Sequence, residues 1–261
     1  MSDIFTQAAR LLAERVAFAV VTVVRTAGST PRHLGAKMLV HAGGALGTIG
    51  GGRWEHEVTA AAQAALAAGR PRMLRLHLTH ELAMCCGGEM EVFIDVTAPP
   101  APLIIFGGGH VGAALAPLAR TIGFDVHVVD ELEEFASPER FPGARLHHSF
   151  DPRDWGELPL GPRTVVVVTT RDHAVDQAVL EALVGRDLGY LGVIGSRGKA
   201  GRFRRRLEAK GVAPAQLARV HMPIGLDIGA ETPEEIAVSV IAQLIQLRHA
   251  GKPRADQPEE A

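Results

Sequence analysis

The chain has 261 residues, is 47% hydrophobic and 21% charged, and carries a formal net charge of -2. That composition supports real hydrophobic cores without covalent staples. It excludes the strongly positive field that draws in nucleic acid or anionic membrane, which leaves small molecules or proteins as partners. The opening MSDIFTQAARLLAER lacks the basic start, apolar run and small-residue cleavage site of a signal peptide, and no later apolar run approaches ~20 residues. A cytoplasmic protein is therefore expected. The two cysteines, Cys85 and Cys86, are neighbours, which excludes a disulfide framework and predicts reduced thiols.

In chain order, the polar-apolar period over 3–14 predicts a helix, and the valine-rich VAFAVVTVV a buried strand. AKMLVHAGGALGTIGG reads as two short strands about a Gly43-Gly44 turn. RWEHEVTAAAQAALAAG reads as a helix stopped by Gly69, and RMLRLHL and EVFIDV as further strands. Three prolines in TAPPAP, residues 97–102, break any helix or central strand and mark a linker. Beyond them LIIF, a glycine turn, a helix to about Ile122, DVHVVD, an acidic loop and helix, RLHH, TVVVVTT, a helix, YLGVIG and another helix alternate. Such alternation implies crossover units and a parallel sheet covered on both faces. Pro117 should kink or shorten the first of these helices. Thr232-Pro233-Glu234-Glu235 signals a last helix, with Thr232 as N-cap and Glu235 closing a capping box. The expected fold class is α/β: a small α+β domain over 1–97, a linker over 98–102, a Rossmann-like domain over 103–250 and a disordered tail over 251–261.

GGGHVG follows LIIF at once, so Gly107, Gly109 and Gly112 stand in G-x-G-x-x-G spacing at a strand-to-helix turn. The first glycine allows the tight turn, the second lets a pyrophosphate approach the backbone, and the third lets helix and strand pack closely. The helix N-terminus adds free N–H groups. Asp130 ends the next strand, where an acid typically accepts ribose hydroxyls. The loop does not specify NAD, because a pterin carrying phosphate presents similar groups; His110, inside the loop, either faces the ligand or covers the first turn.

Gly50, Gly51 and Gly52, with Arg53 next and Arg32 and Lys37 nearby in sequence, form either a second anion cradle or a close-packed turn. Cys85 and Cys86, beside Gly87 and Gly88, are inert filler or a soft ligand for molybdenum or sulfur; their adjacency argues against zinc. Ser196 and Arg197 sit at the carboxyl end of a parallel strand and could meet a phosphate. The arginine run from Arg202 to Arg206 reads as a solvated basic face. Asp172 reads as a helix cap rather than an acid-base partner of His173, and Asp227 caps, turns or touches a ligand.

Taken in order, GSTPRHLGAKMLV, GTIGGGRWEHE, CCGG, FGGGHVG, VIGSRGK and PIGLDIGAETPEEIA resemble the successive signatures of the XdhC/CoxI accessory family. The resemblance implies an XdhC/CoxI-type N-terminal domain and a Rossmann-like C-terminal domain. It implies a carrier without turnover of its own, which binds a molybdopterin-type molybdenum cofactor through Cys85 or Cys86 and the loop Gly107, Gly108, Gly109, His110 and Gly112. Such a carrier shields the cofactor while a cysteine desulfurase installs sulfur, and delivers it to apo xanthine dehydrogenase, at its molybdenum-binding subunit, or to a related hydroxylase. Members are commonly homodimers. Two rivals stand beside it: an NAD(P)-dependent oxidoreductase using GGGHVG and Asp130, and a nucleotide-sensing module that needs neither cysteine.

Overall fold

In the computed structural model, residues 2–77 and 88–249 are described. Two compact units divide the chain between Pro99 and Pro100. The tail over 251–261 lies outside the described residues.

In the first unit α1 (Ser2–Ala13), β1 (Phe18–Ala27), β2 (Lys37–His41), β3 (Gly44–Gly47), α2 (Gly52–Ala68), β4 (Arg72–His77) and β5 (Glu89–Thr97) follow one another. The strands make an antiparallel sheet in the order β3-β2-β1-β5-β4. The period of two along β1 divides its apolar residues between two helices. Ala19, Val21 and Val23 pack with Trp54, Val58 and Ala62 of α2, while Phe18 packs with Ile4 and Leu11 of α1. Gly69 ends α2 in the left-handed region, at φ 63°, as a glycine past the last periodic residue should.

The second unit holds β6 (Pro102–Phe106), α3 (His110–Thr121), β7 (Asp125–Val129), β8 (Arg145–His147), β9 (Val165–Val168), α4 (His173–Leu183), β10 (Tyr190–Val193), α5 (Arg197–Ala209), a short α6 (Pro214–Leu217), β11 (Val220–His221) and α7 (Pro233–His249). All six strands are parallel, in the order β11-β10-β9-β6-β7-β8. That is the arrangement of doubly wound dinucleotide-binding sheets, in which the winding reverses between β6 and β9. Continuous apolar runs suit it because both faces are covered: Leu103 and Ile105 face α3 and α7, and Ile104 and Phe106 face α4 and α5. The mixed fold class expected from the alternation is the one observed.

Helix α3 contains Pro117 and runs on to Thr121, with Ile122 as its C-cap as expected, so the proline does not shorten it. One local expectation needs correction. The helix expected after the acidic loop does not form: residues 131–143 make isolated turns. Pro138, Pro142 and Gly143 break that stretch, and the Asp130 carboxylate captures the N–H of Leu132 at 3.2 Å, holding the chain in a turn.

Candidate functional site

The glycine loop lies where the sheet reverses its winding, at the carboxyl ends of β6 and β9, and its glycines have distinct roles. A Cβ on Gly107 would meet the Thr169 carbonyl oxygen at 2.5 Å, and one on Gly112 the Gly107 oxygen at 2.2 Å. These two let strand, turn and helix close on each other. Gly108 presses on the segment after β7, since its Cβ would fall 1.8 Å from the Phe135 carbonyl oxygen. Gly109 is the open position: a Cβ there would touch only Arg171 Cγ, at 4.0 Å. Gly109 is also the N-cap of α3 and provides no capping side chain, so the first-turn N–H groups of the helix stay available to an anion.

Asp130 does not face outward from this loop. It is 1% exposed. Its Oδ2 accepts the Gly108 N–H at 3.0 Å, and its Oδ1 accepts the Leu132 N–H at 3.2 Å and Arg171 Nη2 at 3.2 Å. Three of its roughly four acceptor sites are thereby occupied, and at 1% exposure it offers a ribose hydroxyl little surface. Around it, the Arg171 guanidinium lies 3.9 Å from the centre of the Phe135 ring, and Arg140 Nη2 donates to the Gly108 carbonyl at 3.0 Å. The loop thus presents N–H donors and two guanidinium groups, with its acid turned inward. His110 is exposed at the start of α3 and shares a shallow groove with Arg140 and Glu234.

Beyond β9 and β10 a buried ion pair joins the two adjoining turns. Lys199 is 3% and Asp176 0% exposed, and Lys199 Nζ donates to Asp176 Oδ2 at 2.5 Å and to the Ile194 carbonyl at 2.9 Å. Asp176 Oδ1 also accepts the N–H and hydroxyl of Thr170, at 3.1 and 2.7 Å. The pair was not anticipated, although the spacing of Lys199 with the buried Phe203 and Leu207 marks it as an inward position of α5. Asp172 caps α4 through the Ala174 N–H at 2.6 Å, and Ser196 caps α5 through the Lys199 N–H at 3.2 Å. Arg197 is instead exposed and pairs with Asp227 at 2.8 Å.

In the first unit, the triple glycine folds around an internal anion. Glu55 Oε2 accepts the Thr48 hydroxyl at 2.5 Å and the N–H groups of Ile49 and Gly51 at 3.0 and 3.1 Å. Burial pushes the Glu55 carboxyl up, but the Thr48 hydroxyl and the surrounding backbone N–H groups outweigh it and hold the group below the usual carboxylate range. Gly50, at φ 133°, packs on Pro31, whose Cγ would lie 2.7 Å from a Cβ. Lys37 donates to Thr22 at 2.9 Å. Gly88 in turn abuts the Ser29 carbonyl, 2.4 Å from where its Cβ would be. The segments GSTPR and GTIGGG and the last glycine of CCGG therefore share one neighbourhood. Cys85 and Cys86 lie outside the described residues. Among the described residues no cluster of three His, Cys, Asp or Glu side chains could hold a metal ion, and no helix is long and apolar enough to cross a membrane.

Comparison with known proteins agrees with this architecture. Residues 103–244 match the XdhC Rossmann domain, and residues 11–77 match the XdhC and CoxI family. YqeB of Escherichia coli is 39% identical over 254 residues, covering 95% of this chain and 46% of YqeB. A probable xanthine dehydrogenase subunit of Bacillus subtilis is 37% identical over 174 residues, covering 66% of this chain and 49% of that protein. The chain thus spans about half the length of these relatives. A solved structure of a xanthine dehydrogenase from Bacillus halodurans matches 99% of this chain and 98% of its own, with a TM-score of 0.53 and 24% identity, and speaks for the fold alone. With more than half of its length matched by the Rossmann-domain model and its N-terminal unit by the companion model, the chain belongs to the XdhC family.

Proposed function

We propose that this protein is a molybdenum cofactor carrier. In this reading it binds a molybdopterin-type cofactor, shields it while a cysteine desulfurase supplies the terminal sulfur, and delivers it to apo xanthine dehydrogenase or a related molybdenum hydroxylase. It does so as a cytoplasmic homodimer. Family membership supports the accessory role, and the Bacillus subtilis relative named as a probable xanthine dehydrogenase subunit supports that enzyme as the partner.

The observation that carries the choice of ligand is the glycine loop with its acid withdrawn. The adenosine ribose of NAD is typically held by a carboxylate at this position, whereas Asp130 is buried and already takes three donors from its own chain. A phosphate ester needs only donors. Gly109, open to approach, and the first-turn N–H groups of α3 would hold the phosphate, with Arg171 and Arg140 adding positive charge. Cys85 and Cys86 are the soft groups proposed to meet molybdenum or carry sulfur.

The test is anaerobic incubation with molybdenum cofactor, followed by co-elution of molybdenum and pterin fluorescence with the protein, with NADH titrated in parallel. Near-stoichiometric cofactor retention without NADH binding is expected, and Arg171→Ala should weaken it. NADH binding without cofactor retention would overturn the carrier and favour a nicotinamide-dependent oxidoreductase.

A further inference from the structure

A second cavity, of about 540 Å³, opens on the Rossmann unit between the turn after β10 and the loop after β11. It shares the carboxyl edge of the sheet with the glycine loop, but β10 stands two strands from β6. At ~4.8 Å per strand, roughly 10 Å separates the two places.

The cavity is pre-shaped. Gly225, at φ 89°, sits so tightly on α7 that a Cβ would come 2.2 Å from Ser239 Oγ. Its N–H donates to Gln243 Oε1 at 2.9 Å, the same oxygen that accepts the Tyr190 hydroxyl at 2.5 Å. The Ser239 hydroxyl donates to the Leu226 carbonyl at 2.6 Å, and the Leu226 N–H returns a bond to the Ser239 carbonyl at 3.2 Å. A loop clamped in this way keeps its concavity, so binding there costs little ordering.

The lining combines apolar walls, including Pro223, Ile224 and Ile228, with one charged pair, Arg197 and Asp227. Their side chains are 86% and 83% exposed and meet at 2.8 Å through Asp227 Oδ2, so each retains hydrogen-bonding capacity. Together a carboxylate and a guanidinium present an acceptor–acceptor–donor edge. Its complement is a flat ring whose edge reads donor–donor–acceptor, which is the 2-amino-4-oxopyrimidine of pterins and of guanine; adenine lacks that sequence.

We propose that this cleft binds a 2-amino-4-oxopyrimidine ring, with Asp227 accepting from the ring N–H and the amino group and Arg197 donating to the ring carbonyl. The assignment deepens the carrier reading by giving the cofactor's ring end its own subsite, and it rests on that reading for the choice of pterin over guanine as the source.

The test titrates the whole 261-residue chain with free pterin, followed by fluorescence anisotropy, with GMP and AMP as competitors. The same measurement is made on Asp227→Asn, Asp227→Glu and Arg197→Ala. All three changes fall at exposed positions, so thermal melts should match the wild type. Saturable pterin binding that weakens about tenfold or more in Asp227→Asn, recovers in part in Asp227→Glu and resists AMP is expected. GMP displacing pterin at lower concentration than pterin's own half-saturation would move the source to a guanine nucleotide and overturn the pterin assignment. Equal competition by AMP, or an unchanged affinity in Asp227→Asn, would overturn the ring chemistry. Whole-cofactor retention by wild type separates the two readings: retention without pterin binding sinks the cleft alone, and pterin binding without retention sinks the carrier alone.

Discussion

Asp176 and Glu55 both turn inward, but their partners differ. Asp176 and Lys199 are buried together, and their attraction offsets the loss of water only while both are present. Asp176→Asn or Lys199→Met alone should therefore cost about 3–5 kcal/mol in denaturant unfolding, and the double variant less than the sum of the two. A double variant whose loss is simply additive would show that the two groups do not interact. Glu55 behaves differently because its partners are mainly backbone N–H groups. Its carboxyl lies below the usual range when folded, so the unfolded chain binds more protons in the acid range. Its stabilisation is complete above the unfolded pKa, near 4.5, and is lost as pH falls through the folded value. Glu55→Gln should lower stability by about 2 kcal/mol at neutral pH and flatten the acid limb of the stability-versus-pH curve. An unchanged acid limb would mean that the glycine turn does not depend on this anion.

At the level of elements, the strand-to-helix turn after β6 separates close-packed glycines from the one left open, Gly109. Gly108→Ala and Gly112→Ala drive a Cβ into backbone, at 1.8 and 2.2 Å, and should lower the melting temperature markedly, since neither neighbour is a movable side-chain tip. Gly109→Ala has room and a φ of -67° that alanine adopts freely. It should melt near the wild-type temperature yet retain less cofactor, because its methyl group blocks approach of a phosphate to the backbone. Equal retention by Gly109→Ala would remove the loop from the binding site. The last helix offers a simpler case. Thr232 and Glu235 exchange hydrogen bonds at 3.2 and 3.1 Å, the capping box foreseen from TPEE. Thr232→Ala should cost about 1 kcal/mol, read as a shift in denaturant midpoint.

For the molecule as a whole, the features proposed to bind the cofactor share one edge of the parallel sheet. The glycine loop, the Thr170–Asp176–Lys199 network and the cleft at Asp227 all follow the carboxyl ends of strands. Hydrogen exchange measured with and without cofactor should slow at 107–112 and 223–230, while β6 and β9, buried on both faces, exchange slowly in either state. Protection appearing instead at the amino edge, around Gly123 or Gly189, would place the ligand on the wrong side of the sheet.

The order of the Rossmann strands and helices was legible in the sequence, because unbroken runs such as LIIF and TVVVVTT can be satisfied only between two layers of helix. The positive φ of Gly107, the close approach at Gly112, the caps at Asp172 and Thr232 and the stop at Gly69 were legible because each depends on backbone geometry within a few residues; the fit of Gly107 against the Thr169 carbonyl was not, since it joins two distant strands. What the tertiary structure alone decided is which charges meet. Asp130 stands 41 residues from Arg171 along the chain, and Arg197 stands 30 from Asp227. Nothing in local spacing reveals that the first acid turns inward to its own loop while the second stays at the rim of a cavity. The sequence determined by itself most of the strands and helices and the turns at the carboxyl edge of the parallel sheet, since those follow from period and turn chemistry, but not the segment over 131–143 or the short α6 and β11. Which polar groups are spent inside the fold and which remain for a ligand was settled by long-range packing, because hydrogen-bonding capacity is allotted only when distant segments come together.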